Sequence, residues 1–240
     1  MNRVLFEADE CQAGDVLTLS DHRFQHLTRI LKVGLGDRIR IGMINGRAGC
    51  GEVINLTEAA VSLRLTLTEC ALPRHPVMLI LALPRPKMLR RVLRTCAEFG
   101  VSHIHLINSA RVEKSFWQSP LLQPDKVRSA MLKGLERSGD TVLPEWHLHR
   151  RFRPFMEDCL PGLAGDRPIA MAHPSGETDL GGLPSGECVL MVGPEGGFVP
   201  FEVDLAQQAG AQLVTLGRRV LSVDTAVPAA LGITATRALR

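Results

Sequence analysis

Val189-Leu190-Met191-Val192-Gly193-Pro194-Glu195-Gly196-Gly197-Phe198 is the stretch on which the reading of this chain turns, and Leu216-Gly217-Arg218-Arg219-Val220-Leu221-Ser222-Val223-Asp224-Thr225-Ala226 is its companion. In the first, an apolar run of strand type stops at a Gly-Pro-Glu-Gly-Gly turn, so a buried strand delivers its end into a loop whose bare backbone a ligand can approach. In the second, the run Leu213 to Leu216 stops at Gly217, and a helix-compatible segment starts near Asp224 or Thr225, either of which can cap it. Taken singly, each reads equally well as an ordinary strand-to-helix turn. Taken together, two strand ends and two loops point to one place.

The surrounding chain is globular in composition. Its 240 residues are 45% hydrophobic and 22% charged, which suits one large or two smaller folded domains and excludes a disordered chain. No apolar run is long enough for a membrane span, and Met1-Asn2-Arg3-Val4-Leu5-Phe6-Glu7 lacks the succession of a signal peptide, so a cytoplasmic protein is expected. Cysteines 11, 50, 70, 96, 159 and 188 are scattered without a Cys-x-x-Cys pair, which argues for reduced thiols. His103-x-His105 and His147-x-His149 each put two imidazoles on one strand face; without a Cys or carboxylate at ligand spacing they read as ordinary histidines, and no metal is expected.

Charge is unevenly spread. Lys plus Arg against Asp plus Glu number nine to nine in residues 1–75, eleven to four in 85–137 and eight to twelve in 138–240. The basic middle segment suits a polyanion, although a solvated face is the plainer reading. With 4% aromatic residues and no Tyr, base stacking is a poor candidate for the main means of recognition.

From Val4 to Leu67 the pattern is β-like, with Val61, Leu63, Leu65 and Leu67 on one face and the glycines of an Asn45-Gly46 hairpin among the turns. A small antiparallel barrel over residues 1–72 is expected, interrupted by a helix that carries Phe24, Leu27, Ile30 and Leu31 on one face. Pro73 to Pro76 reads as a linker. Beyond it, strands near 77–83, 104–107, 169–172, 187–192 and 211–216 alternate with helices near 86–99, 126–138, 201–209 and 225–238, which predicts a mostly parallel sheet over residues 76–240. Neither G-x-G-x-x-G nor a Walker motif occurs, which argues against a dinucleotide enzyme or an NTPase.

Gly193-Pro194-Glu195-Gly196-Gly197-Phe198 and the 216–226 segment resemble the C-terminal signature of the RsmE-like 16S rRNA uridine-N3 methyltransferases, within the SPOUT superfamily of knotted methyltransferases. His26-Leu27-Thr28-Arg29-Ile30-Leu31-Lys32 is similar to that family's PUA-like RNA-binding element, and Ala97-Glu98-Phe99-Gly100-Val101 to its T-E-L-G-V. The resemblance implies an α/β chain with an N-terminal PUA-like β-barrel and a C-terminal SPOUT domain closed by a deep trefoil knot. It also implies a homodimer and S-adenosylmethionine as cofactor, with 16S rRNA or the small ribosomal subunit as partner.

On that reading Met171, His173, Val192, Gly193, Pro194, Glu195, Gly196 and Gly197 hold the cofactor from one side, and Leu216, Gly217, Val220, Leu221, Ser222, Thr225 and Ala226 from the other. Removal of the uracil N3 proton calls for a base or a cation, for which Arg219, Asp224, Glu98 and Glu136 are candidates. Arg3, Arg29, Lys32, Arg38, Lys87, Arg91, Arg94 and Arg111 are candidate RNA contacts. The chain departs from the family pattern at Arg137 (Gln is usual), Asp140 (Arg), Ser222 (Arg) and Asp224 (Glu). Two further readings stay open: a knotted methyltransferase with another RNA position as target, and an RNA-binding homologue without catalysis.

Overall fold

The computed structural model describes residues 2–237, and the chain divides into two compact units. One comprises the chain up to Pro73 together with Leu132–Leu143. Its strands are β1 (Val4–Phe6), β2 (Cys11–Gln12), β3 (Val16–Leu19), β4 (Arg38–Met43), β5 (Ala48–Leu56) and β6 (Val61–Glu69), in the order β1-β4-β5-β6-β3-β2. Period-two alternation sets the register. Val61, Leu63 and Leu65 join Phe6, Leu17, Leu19, Ile41 and Val53 in the core, while Arg64 and Thr66 face water. Asn45, at φ 57°, and Gly46 form the β4–β5 turn, which the Met43 N–H closes on the Arg47 carbonyl at 2.9 Å.

The sheet curls, as the expected small barrel requires; its pairing departs from the purely antiparallel one expected only at β1, which runs parallel to β4. Between β1 and β4 the chain passes through β2, β3 and a helix, and such a crossover returns it in its original direction. That helix, α1 (His22–Gln25), widens into a π-type turn over His26–Ile30. The wider turn rotates the later residues off the apolar face: Leu27 is fully buried, whereas Ile30 and Leu31 are 67% and 49% exposed.

Residues 132–143 belong here because of backbone pairing that no local pattern announces. The N–H groups of Asn2 and Arg3 both donate to the Glu136 carbonyl, at 2.9 and 3.1 Å. The Asn45 N–H donates to the Thr141 carbonyl at 2.8 Å, and the Thr141 hydroxyl to the Gly46 carbonyl at 2.7 Å.

The other unit, Arg74–Met131 and the chain from Pro144 on, is a seven-stranded sheet. Strands β7 (His75–Ala82), β8 (Val101–Ile107), β9 (Glu145–His149), β10 (Ile169–Ala172), β11 (Thr178–Asp179), β12 (Cys188–Val192) and β13 (Ala211–Thr215) run all parallel, in the order β11-β13-β10-β12-β7-β8-β9. The helices are α2 (Pro86–Phe99), α3 (Pro124–Ser138, which begins in this unit), α4 (Phe152–Pro154), α5 (Leu160–Ala164), α6 (Pro200–Gln208) and α7 (Val223–Arg237). All five residues of β12 are buried, as a strand covered on both faces requires. In α2, Pro86 occupies the first turn, Leu89, Val92, Leu93, Cys96 and Ala97 form the buried stripe, and Gly100 ends the helix at φ 75°.

The expected strands and helices of this unit are present. Strands β9 and β11 and the short helices α4 and α5 are additional. β9, Glu145-Trp146-His147-Leu148-His149, is a polar edge strand without an apolar run, marked in the sequence only by the alternation of His147 and His149. The expected end of the last helix at 238 lies outside the described residues. After β13 the chain doubles back: β13 lies beyond β10 from β12, yet α7 packs on β7 and α2, on the other side of β12. The trefoil-knot resemblance calls for a passage of this kind. Among the described residues no helix is long and apolar enough to cross a membrane.

One charged cluster in the first unit makes its stability depend on pH. The Arg23 side chain is 12% exposed; it donates to Glu10, to both Asp21 oxygens at 3.1 and 3.0 Å, and to the Leu5 carbonyl at 2.9 Å. The Arg23 hydrogen bond holds the Glu10 carboxyl below its ordinary 4.5. A depressed carboxylate contributes stability above its unfolded-state value and loses it as pH falls through the folded one. Urea midpoints should therefore drop as pH falls through the range below 4.5, and Arg23→Leu should lower the midpoint at neutral pH and flatten that acid dependence.

Candidate functional site

β10, β12 and β13 lie side by side with Ala172 opposite both Val192 and Val214, so the three loops that follow them leave the sheet at one carboxyl edge. Between the loops is a cleft of about 210 Å³, open on one side. It is lined by residues 172–174, 192–198, 215–217 and 219–221 with Val223 and Ala226. Its walls are mostly apolar side chains and bare backbone.

Glycine is required at two of these bends. Gly217 sits at φ 119°, closed by the Thr215 hydroxyl, which donates to the Gly217 carbonyl at 3.0 Å and accepts its N–H at 3.1 Å. Gly197 sits at φ 71° and donates its N–H to the Pro194 carbonyl at 2.8 Å. A Cβ at Gly193 would lie 3.2 Å from the buried Phe198 ring, and one at Gly196 2.9 Å from Arg111 Cδ.

Neighbouring elements hold the 193–198 loop. The Glu195 carboxylate accepts the Arg85 N–H at 3.0 Å, just ahead of α2, where the first N–H groups of a helix lack intrahelical partners. The Arg111 guanidinium donates to the Gly196 carbonyl. Glu202, 3% exposed, accepts from the Ser109 hydroxyl at 3.0 Å, the Ala110 N–H at 2.7 Å and the Val199 N–H at 3.0 Å. A single buried carboxylate thereby joins the segment after β8 to the first turn of α6 and sets Arg111 against the loop. Pro at the first helical position with Glu two residues later is the sequence sign that could have found it.

The start of α7 is held in the same way. The Ser222 hydroxyl donates to Asp224 Oδ1 at 2.7 Å and lies 3.0 Å from the Thr225 hydroxyl, while Arg91 reaches Asp224 Oδ2 at 2.8 Å. The Ser222 hydrogen bond, with Arg91, keeps the Asp224 carboxyl below its ordinary value, which makes it a weaker base.

Twelve of the fifteen expected cofactor residues line the cleft: His173, Val192, Gly193, Pro194, Glu195, Gly196, Gly197, Leu216, Gly217, Val220, Leu221 and Ala226. The other three lie elsewhere: Met171 is wholly buried within β10, and Ser222 and Thr225 are engaged in capping α7. Ala172, Pro174, Phe198, Thr215 and Val223 line it as well; Phe198 and Val223 lie within the two motifs, and Thr215 adjoins the second.

Of the four catalytic candidates, Arg219 lines the cleft and Asp224 does not. Glu98 pairs with Arg94 at 3.5 Å near the far end of α2, about 20 Å along the helix from Arg85 at 1.5 Å per residue. Glu136 belongs to the first unit, where burial pushes its carboxyl up.

Among the RNA candidates, Arg29, Lys32, Arg38, Lys87, Arg91, Arg94 and Arg111 are exposed. Arg3 is not: it is 9% exposed, bonded to Glu69 at 2.7 Å and to the Ile41 carbonyl at 3.2 Å, which makes it an internal strut. Asp140, where the family has Arg, is 4% exposed and accepts the Thr141 N–H at 2.7 Å. A carboxylate there serves the turn.

A parallel sheet with a glycine-walled cleft at its carboxyl edge, crossed by a returning C-terminal helix, defines an α/β domain of the doubled-back type with a small-molecule cleft. The chain belongs to the RNA methyltransferase family, whose domain model matches residues 71–235. It is 34% identical over 97% of its length to the ribosomal RNA small subunit methyltransferase E of Treponema pallidum, of which 90% is covered. Among solved structures it resembles the Neisseria gonorrhoeae ribosomal RNA small subunit methyltransferase E bound to S-adenosyl methionine, with TM-score 0.79, 24% identity and coverage of 98% and 97% of the two chains. A Legionella pneumophila putative methyltransferase in complex with the same cofactor aligns with TM-score 0.75 at 22% identity, over 97% and 96% of the chains.

Replacing Glu202 by Leu removes the buried acceptor shared by the Ser109 hydroxyl and the Ala110 and Val199 N–H groups. The variant should lose about 2–4 kcal/mol of stability in urea titrations, with protection of the 109–111 amides against hydrogen exchange falling first.

Proposed function

We propose that this protein methylates N3 of a uridine in 16S rRNA of the small ribosomal subunit, with S-adenosylmethionine as donor and the carboxyl-edge cleft as the cofactor site. The convergence of two glycine-walled loops on an apolar cleft carries the reading, and the names of the relatives support it. The residues fit the cofactor. Leu216 and Leu221 offer apolar side chains for the adenine beside the side-chain-free Gly217, and Gly193, Gly196 and Gly197 a wall without side chains for the methionine end. When bound, the cofactor supplies a methyl group already activated as a sulfonium, so the protein has to position rather than activate, and no step calls on a metal.

Proton removal at N3 is the step for which a side chain is needed. Arg219, on the wall of the cleft, would stabilise the imide anion left when the N3 proton passes to solvent water, whereas Asp224 is committed to Ser222 and Arg91. The first unit serves as the PUA-like RNA-binding domain, with Arg29, Lys32 and Arg38 exposed for phosphates, and the second unit, residues 74–131 with the chain from Pro144 on, as the SPOUT domain. The enzyme works as a cytoplasmic homodimer. Val220, 87% exposed on the cleft loop, is the large apolar residue most open to a second copy.

Isothermal titration gives the first test: Gly196→Val should abolish S-adenosylmethionine binding while circular dichroism stays native, and unchanged affinity would place the pocket elsewhere. Arg219→Ala should lower kcat on small-subunit RNA about 10²-fold or more with cofactor affinity preserved; equal turnover would remove Arg219 from the chemistry. Mass mapping of 16S rRNA from a deletion strain, with and without this gene, should show one methyl lost and regained at one uridine. A methyl at any other position would establish a different target.

A further inference from the structure

We infer that the second unit carries a binding site for a zinc-type divalent cation at the β8–β9 edge of its sheet, held by His103, Glu145 and His147. β9 is the last strand, and its parallel register with β8 sets Glu145 opposite His103 and His147 opposite His105. Alternate residues of a strand share a face, so Glu145, His147 and His149 on β9 stand beside His103 and His105 on β8. The carboxylate missing from the local sequence around His103 is thus supplied by the neighbouring strand; for His147 it is Glu145, two residues upstream. The expectation that these histidines lack such a partner is corrected by this juxtaposition.

The three groups are grouped like ligands rather than like a hydrogen-bonded cluster. Glu145 Oε2 lies 3.6 Å from His103 Nδ1 and 4.0 Å from His147 Nε2, and the three donor atoms fall within 4.8 Å of one another. Those separations exceed hydrogen-bond length, and among the described residues none of the three side chains makes a hydrogen bond. Ligand bonds of about 2.0–2.1 Å in a tetrahedral shell put donor atoms about 3.3 Å apart. Side-chain torsions alone can close the difference, because the ladder already fixes the two backbones. The side chains are 40%, 70% and 47% exposed, so an ion and a completing water can reach them.

A neighbouring pair of rings braces the site from within. His105, 2% exposed, stacks on His147 with centroids 4.8 Å apart at 18°, and its Nδ1 lies 3.0 Å from His149 Nε2. One face of the His147 ring is therefore covered, and its Nε2 is left toward Glu145. Two imidazoles and one carboxylate suit zinc and its borderline neighbours better than magnesium or calcium, which prefer oxygen ligands throughout. The ion would pin an edge strand that only β8 holds, at the opposite side of the sheet from β13 and away from the cofactor cleft.

The test uses the tag-free full-length protein, stripped with chelator and titrated calorimetrically with zinc chloride. One equivalent per chain should bind and raise the melting temperature. The affinity should fall at least about tenfold in His103→Ala and in Glu145→Gln, and stay unchanged in His22→Ala. The exposed positions of the altered side chains allow native circular dichroism to certify each fold, and S-adenosylmethionine affinity should be the same in all variants. Absence of saturable zinc binding would overturn the proposal, as would an equivalent that survives both substitutions.

Discussion

Parallel pairing of β10, β12 and β13 is the constraint on which the molecule depends. Because the three strands share direction and register, their loops have to leave at one edge, and the cleft forms wherever those loops do not fill the space. Burial enforces the pairing. Val189, Leu190, Met191 and Val192 are each at most 3% exposed, and burying each side chain contributes about 1.5–3 kcal/mol. The Arg91–Asp224 pair, with Arg91 half exposed, contributes at most about 1 kcal/mol. Apolar packing therefore places the loops, and the ion pair only trims the start of α7.

The polar groups around the cleft have a different task, which is to hold loops that carry little apolar mass. Glu202, Glu195 and the Ser222–Asp224–Thr225 cluster each satisfy backbone or hydroxyl donors at a helix start. The family motifs therefore mix two kinds of residue: glycines that leave room for a ligand, and acids that keep the surrounding turns from moving. Asp224 sits inside a motif yet faces the scaffold, and Glu195, on the cleft wall, gives its carboxylate to the Arg85 N–H, so a motif residue is not for that reason a chemical one.

The two edges of the sheet contrast. At the carboxyl edge beside β12 the walls are apolar and the backbone bare, as a neutral aromatic base and a small polar tail require. At the β8–β9 edge, imidazoles and a carboxylate stand in a row, with hydrogen-bond capacity left over. One sheet thus offers two chemically distinct surfaces, because its central strands are read by burial and its last strand is free to be polar.

Much was legible in the linear chain. The uniform apolar runs named the parallel strands, the 3.6-residue stripe of Leu89, Val92, Leu93 and Cys96 named α2, and the two glycine motifs named both walls of the cleft, since each of these is a local property of consecutive residues. Register and long-range pairing were not local. Only the tertiary structure decided that residues 132–143 join the first unit through Asn2, Arg3 and Asn45, that β1 runs parallel to β4, that Arg3 is an internal strut, and that Glu98 lies far along α2 from the cleft. It alone set Glu145 beside His103, because which strand neighbours which depends on how the whole sheet is ordered, and no window of sequence contains that order.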